Sequence, residues 1–418
     1  MLLASACGGN DNSSSGGSGT SGALEGKGPI TFATGKDTSG NLTNQVSAWN
    51  SAHPDEKVTV IELPESADGQ RQQMMQSALA KQDTYSILNL DVVWTAEFAA
   101  NRWVVELPKD QFPSINSAIP ATVKTAEYRG KLYAVPITSD GGLLYYRKDL
   151  LDKAGVQPPK TWDEMKAACQ KVQALPEGKG MGCYAGQFEK YEGLTCNFSE
   201  AVNGAGGEVV GEDGKPNVNT PEAQAGLEFL VNGFKTGEIP KAAITYKEEE
   251  GRRAFQEGKL IFHRNWPYVY ALAGKTDGSS KIVGKFAVAP LPGKDGPGVS
   301  TLGGHNYAIS AFAKNKASAA EFIKFMASEE RQRANVEKTS QAPTWASLYD
   351  DAALLKQFPY LTPLKASIES AKPRPSVVKY GDVTAAIQEA AYGALTGATT
   401  PQQALSDLQT KLSSMITQ

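Results

Sequence analysis

Histidine is almost missing from this chain of 418 residues, which holds only His53, His263 and His305. Three rings so far apart offer no pair at metal-ligand spacing, so no metal site is expected. An excess of charge is lacking too: 42 Lys and Arg against 45 Asp and Glu leave a formal charge of −3. That balance gives no basic field to draw in nucleic acid. No apolar run nears the roughly 20 residues that a helix needs to cross a bilayer. Missing as well are the nucleophile elbow G-x-S-x-G, the Walker-A loop, H-E-x-x-H and a G-x-G-x-x-G after a strand. No catalytic residue and no cofactor are therefore expected. What is present is ordinary globular composition, 40% apolar and 21% charged. The length exceeds what one hydrophobic core sustains, so two lobes are expected.

Cysteine is scarce, and its four positions differ in kind. Leu2-Leu3-Ala4-Ser5-Ala6-Cys7-Gly8-Gly9 reads as the end of a signal peptide, with small residues before a cysteine that would carry lipid after cleavage. It departs from that pattern in Ala4, where leucine is usual, and in lacking the basic and most of the apolar region. A trimmed start explains both; the other reading is a short apolar start without a signal. Asn10 to Gly26 is nearly all Gly, Ser, Asn and Thr, the composition of a flexible tether. An anchor on Cys7 and a loose spacer would hold a soluble body at the outer face of a membrane, since two acyl chains suffice for stable attachment. Cys169, on an expected helix, and Cys183, on the strand after Pro176-Glu177-Gly178-Lys179-Gly180, form the expected disulfide. Cys196 remains as a buried thiol.

Apolar periodicity places strands at Ile30–Thr34, Val58–Leu63 and Tyr85–Asp91, with helices at Asn41–Asn50, Gly69–Lys81 and Val93–Asn101. This alternation predicts a mostly parallel sheet covered on both faces, with ligands gathering where strands end, as at Asp91. Further strands are expected at Leu132–Pro136, Leu143–Tyr146, Lys259–Phe262, Phe286–Ala289 and Tyr307–Ser310. Thr161 and Glu164 form a capping box, and Thr220 caps a helix with Pro221 at its first position. Helices are expected at Gly251–Glu257, Ala317–Met326 and Pro401–Met415. The run Glu248-Glu249-Glu250 could hold a glycosidase acid, but a solvated loop before a helix accounts for it as well. A sugar receptor, by contrast, needs aromatic faces and charged side chains that each bond several hydroxyls.

One series of motifs is more specific. Gly130-Lys131-Leu132-Tyr133-Ala134-Val135-Pro136, then Leu144-Tyr145-Tyr146-Arg147-Lys148-Asp149-Leu150-Leu151, then Pro158-Pro159-Lys160-Thr161-Trp162-Asp163-Glu164 come in order. They are followed by Tyr191-Glu192-Gly193-Leu194, Phe255-Gln256-Glu257-Gly258-Lys259, Arg264-Asn265-Trp266-Pro267-Tyr268, Thr301-Leu302-Gly303-Gly304 and Pro373-Arg374-Pro375. Together they resemble the extracytoplasmic sugar-binding proteins of ABC importers, in the trehalose/maltose-binding branch, from about Ile30 to the C-terminus. The resemblance implies an α/β fold of the periplasmic-binding-protein type: two lobes joined by hinge strands, with the ligand cleft between them. Residues 28-138 with 302-344 would form one lobe, and 139-301 with 345-418 the other. The expected partners are a disaccharide of trehalose or maltose type and the permease subunits of the importer, with the receptor a monomer.

The resemblance also carries roles onto single positions. Asp91 would accept sugar hydroxyls, although a strand-end Asp also serves as a helix cap. Arg71 would reach the same glucose. Asp140 would be the hinge-proximal carboxylate, or else a turn residue before Gly141. Trp266 and Tyr268 would stack on sugar rings, with Pro267 fixing their directions; core packing is their other reading. Arg374, between two prolines, would donate from the second lobe, or else be a surface arginine. Gly303 and Gly304 would let backbone N–H groups approach the ligand. Glu192 and Glu248 complete the set. His305 stands where relatives often have tryptophan, as a wall of the site or a structural histidine, and Asp37 stands near the place of a missing glutamate. The other readings of function are a receptor for a different or longer oligosaccharide and a secreted glycoside hydrolase using Glu248 or Asp140.

Overall fold

The computed structural model describes residues 24–37, 39–211 and 213–416. Cys7 and the Gly/Ser-rich stretch up to Ala23 lie outside them. Leu24 to Gly26, read as part of the tether, are docked instead. The carbonyls of Glu25 and Gly26 accept the free N–H groups of Lys316 and Ala317 at the start of the helix Lys316–Met326, and Leu24 packs on the neighbouring core.

The strands in chain order are β1 (Ile30–Thr34), β2 (Val58–Glu62), β3 (Ile87–Asp91), β4 (Glu127–Tyr128), β5 (Lys131–Leu132) and β6 (Ala134–Thr138). After them come β7 (Leu143–Tyr146), β8 (Gly182–Ala185), β9 (Leu260–Asn265), β10 (Ala287–Ala289) and β11 (His305–Ile309). Two sheets organise the molecule. The first has the order β2-β1-β3-β11-β6, parallel through β2, β1 and β3 and antiparallel at β11. Its core includes Phe32, Trp49, Phe98, Tyr307 and Phe322. The second has the order β10-β7-β9-β8 over a separate core that includes Tyr145, Phe198, Phe255 and Tyr349. This is the α/β architecture of two lobes that the length and the strand–helix alternation predict, but neither sheet is mostly parallel as expected: β11 and β7 enter from the crossing segments and run antiparallel to both their neighbours.

Two strands extend past their expected ends. Pro136 does not stop β6, which continues to Thr138, because β6 is the edge of its sheet and an edge strand tolerates a missing N–H. Strand β9 runs on to Asn265, carrying the chain directly into Trp266. Both expected N-terminal caps form: Thr161 and Glu164 make the reciprocal capping box, and Thr220 accepts from Ala223. A disulfide joins Cys169 in the helix Trp162–Gln173 to Cys183 in β8, with Cα atoms 5.4 Å apart, and Cys196 is a buried free thiol.

The chain passes between the sheets in segments that hold one another. Asp140 and Gly303 exchange backbone hydrogen bonds of 3.1 and 2.8 Å, and Gly141 bridges Leu302. Thr138 bridges Pro343, and Thr301 bridges Lys372. Gly304 is at φ 116°, where a Cβ would stand 2.2 Å from the Thr138 carbonyl oxygen, so only glycine fits this crossing.

Candidate ligand-binding site

Several of the residues expected around a ligand lie where the two lobes meet. Asp91 ends β3, and His305 opposite it opens β11. The Asp91 carboxylate accepts from Val93 N–H at 3.1 Å, as a cap would, and also takes the Arg374 guanidinium, Nη2 to Oδ1 at 2.7 Å and Nη1 to Oδ2 at 3.3 Å. Arg374 is not a surface residue: it is 3% exposed and also pairs with Glu192. Among the described residues its buried Nε has no partner, one donor left open in an otherwise paired group.

Glu192 opens the helix Glu192–Gly204, nearly all of which is buried. Its carboxylate accepts from Arg374, Tyr380 and Thr384, and Thr384 is held in turn by Thr195 at 2.7 Å. Burial raises the Glu192 carboxyl above the usual carboxylate range, and Asp91 adds to this while Arg374 opposes it. The helix has no cap from its own chain neighbours. Asp68, on the helix Ala67–Leu79 of the first lobe, fills that role by accepting Glu192 N–H at 2.8 Å.

Trp266 lies beside Gly303, which stands two residues before His305 in the chain. A Cβ on Gly303 would stand 2.9 Å from the indole ring and 3.3 Å from Asp140 Cβ, so Gly303 permits close approach of the crossing strand to both. The Asp140 carboxyl is pushed up to about 7, by burial first and by Asp91 second, with Arg264 opposing. His305 is half-buried, and the loss of solvent lowers its tendency to take a proton; Asp91 favours the proton and Arg374 disfavours it. Glu248 was allowed a solvated loop, and that reading is corrected. It starts the helix Glu248–Gln256, is half-buried, and takes a 2.7 Å bond from Tyr191 Oη. A carboxylate at a helix start gains from the N-terminal dipole, which is why the helix begins three residues earlier than its apolar pattern implies. Burial raises this carboxyl, against hydrogen bonds from Tyr191 and Trp266.

Three expected residues are engaged elsewhere. Asp37 is saturated by its own loop, accepting from Ser39, Gly40 and Leu42. Arg71 pairs with Glu97, and its guanidinium covers Gly381, where a Cβ would stand 2.5 Å away. The Tyr268 hydroxyl bonds Glu249 at 2.8 Å.

Sequence reasoning missed Asp68, Tyr191, Tyr380 and the pair Glu200–Arg264. One signal was there. Glu192, Cys196 and Glu200 are spaced i, i+4, i+8 on one helix, so they share a face, and both acids on it meet a buried arginine.

The arrangement combines an indole wall, carboxyl groups at the junction of two lobes and a guanidinium with an open donor. Such a set suits a ligand bearing many hydroxyls. Comparisons agree with a binding role. The chain is 36% identical over 365 residues to a probable ABC transporter-binding protein of Deinococcus radiodurans, covering 85% of this chain and 86% of that one. It is 25% identical to the galactooligosaccharide-binding protein of Bacillus subtilis, over 88% and 85% of the two chains. In structure it is similar to maltose-bound MalE3 of T. maritima, with a TM-score of 0.87, 34% identity, and 93% and 99% of the chains covered. The chain is accordingly a binding protein and not an enzyme. With the profile of bacterial extracellular solute-binding proteins matching residues 35–333, the chain belongs to that family.

Proposed function

We propose that the chain is the sugar receptor of an ABC importer, and that it captures an α-glucoside disaccharide of trehalose or maltose type. The observation that carries this reading is the buried Asp91–Arg374–Glu192 cluster where the lobes join, with Trp266 and Asp140 packed about Gly303, two residues before the Asp91 partner His305. One ring face of a sugar stacks on indole while its hydroxyls bond the charged groups. Asp140, Gly303, Gly304, His305 and Glu248 are proposed to line the same region. The closed arrangement, with Asp91 of one lobe on Arg374 of the other, supports capture by closure: sugar stabilises the closed form, and permease subunits recognise it. A lipid on Cys7 would keep the receptor, as a monomer, at the outer face of the membrane. Similarity to a maltose-bound protein supports the disaccharide, and similarity to a galactooligosaccharide-binding protein supports a longer ligand as the second reading.

Calorimetry with trehalose, maltose, sucrose and maltotriose tests the proposal. Heat with trehalose or maltose, lost at least tenfold in affinity in a folded Trp266→Ala variant, is the expected result. Silence with all four overturns it, and tightest binding of maltotriose selects the longer ligand.

A further inference from the structure

Directly beneath the proposed stacking wall lies a buried ion pair that no sugar contact requires. The Arg264 guanidinium carbon is 3.9 Å from the centroid of the Trp266 ring, and Arg264 is fully buried. Its Nε donates to Glu200 Oε2 at 2.7 Å, its Nη2 reaches Oε1, and its Nη1 donates to Gln187 at 2.9 Å. Glu200 Oε1 does more than hold Arg264. It also accepts from Ser300 Oγ at 3.2 Å, Thr301 N–H at 3.2 Å and Thr301 Oγ1 at 3.1 Å. Ser300 Oγ in turn accepts Gly142 N–H at 2.6 Å. A Cβ on Gly142 would stand 2.9 Å from both Arg264 Nη2 and Glu200 Oε1, so the backbone presses on the pair.

Gly142 and Ser300–Thr301 belong to the two segments through which the chain enters and leaves the second lobe. The pair therefore has the aromatic wall on one side and the crossing strands on the other. We infer that Arg264 and Glu200 are positioning residues, which fix the face of the Trp266 ring and link it to the hinge. Arginine suits the task because its planar guanidinium stacks on indole while its edge forks onto a carboxylate; lysine offers neither plane nor fork. The link also gives the hinge a route by which to register that the ring is covered. This inference rests on the reading of Trp266 as the sugar-stacking wall.

The test compares Arg264→Lys, Glu200→Gln and Trp266→Phe, singly and as the double variant Arg264→Lys/Trp266→Phe. The probe is whichever sugar of the four-member panel binds the parent chain most tightly. Far-ultraviolet circular dichroism establishes folding. Arg264→Lys is expected to weaken the sugar about tenfold, mostly through faster dissociation, and to remove the near-ultraviolet band that Trp266→Phe also removes. In the Trp266→Phe background the same change is expected to cost less than threefold, since its effect passes through the ring. Glu200→Gln is close to isosteric and serves if Arg264→Lys does not fold: it is expected to weaken the sugar and disturb the band in the same way. Unchanged affinity and an unchanged band in folded Arg264→Lys or Glu200→Gln, or equal losses in both Trp266 backgrounds, overturn the inference. The wall reading fails separately, when a folded Trp266→Ala variant binds as the parent does.

Discussion

Asp68 lies outside the proposed sugar contacts, yet it joins the lobes, so its removal isolates closure from ligand contact. Its carboxylate accepts Glu192 N–H at 2.8 Å, with Gln388 a looser donor at 3.4 Å. A hydrogen bond to a charged group contributes about 1.5–3 kcal/mol. Asp68 is only partly buried, which places it in the lower half of that range, at about 1.5–2 kcal/mol. Because the bond spans the lobes, it exists only in the closed form. In a receptor that is mostly open without sugar, the whole loss shows as weaker apparent affinity. At 1.4 kcal/mol per decade, Asp68→Ala raises Kd by about tenfold to thirtyfold. Encounter with the open cleft is untouched, so association keeps its rate and dissociation quickens. Stopped-flow fluorescence with the bound sugar reads both rates. A Kd within twofold of the parent, or a loss carried by slower association, refutes the argument.

Asp140 supplies a pH test. Its carboxyl is held near 7 in the fold against an ordinary value near 4, so the folded chain keeps a proton that the unfolded chain gives up. Stability therefore falls as pH rises from about 4 to about 7, by up to about 4 kcal/mol less what residual solvent contact screens. Asp140→Asn removes that slope: it should melt above the parent at pH 8 and level with it at pH 4, and equal melting at both refutes the assignment. Breaking the disulfide by Cys169→Ser/Cys183→Ser opens a loop spanning 14 positions and should cost about 3 kcal/mol in urea unfolding. An unchanged midpoint would show that the bond constrains nothing in the unfolded chain.

Local pattern carried much of the architecture. Alternating strands, the Thr161–Glu164 box and the Cys169–Cys183 pair depend on residues close in sequence or on one expected return of the chain, and all are legible there. The site is less so, because its bonds link distant positions. Asp91 and Arg374 are 283 positions apart, and Asp68 and Glu192 are 124 apart. Composition marks Arg374 as exposed, since isolated arginines are rarely buried; only its two carboxylate partners reverse that. Glu248 misled for a related reason. A run of three glutamates looks solvated until one turns inward under a helix dipole. Arg264 was missed because the expected strand stopped at Phe262, whereas β9 runs on to Asn265 and carries it.

The place of β11 bears on how the molecule is made. Residues 305–309 lie between β3 and β6, strands that are complete by residue 138. Until nearly three quarters of the chain has emerged, the first sheet lacks the strand that joins β3 to β6, and two strand edges stay unpaired. No earlier fragment can complete this sheet, because its joining strand lies about 170 residues beyond β6. For a family that works outside the cell, such a delay favours passage of the chain through an export pore before it folds. The same lack leaves the nascent chain dependent on something to shield those edges on the way.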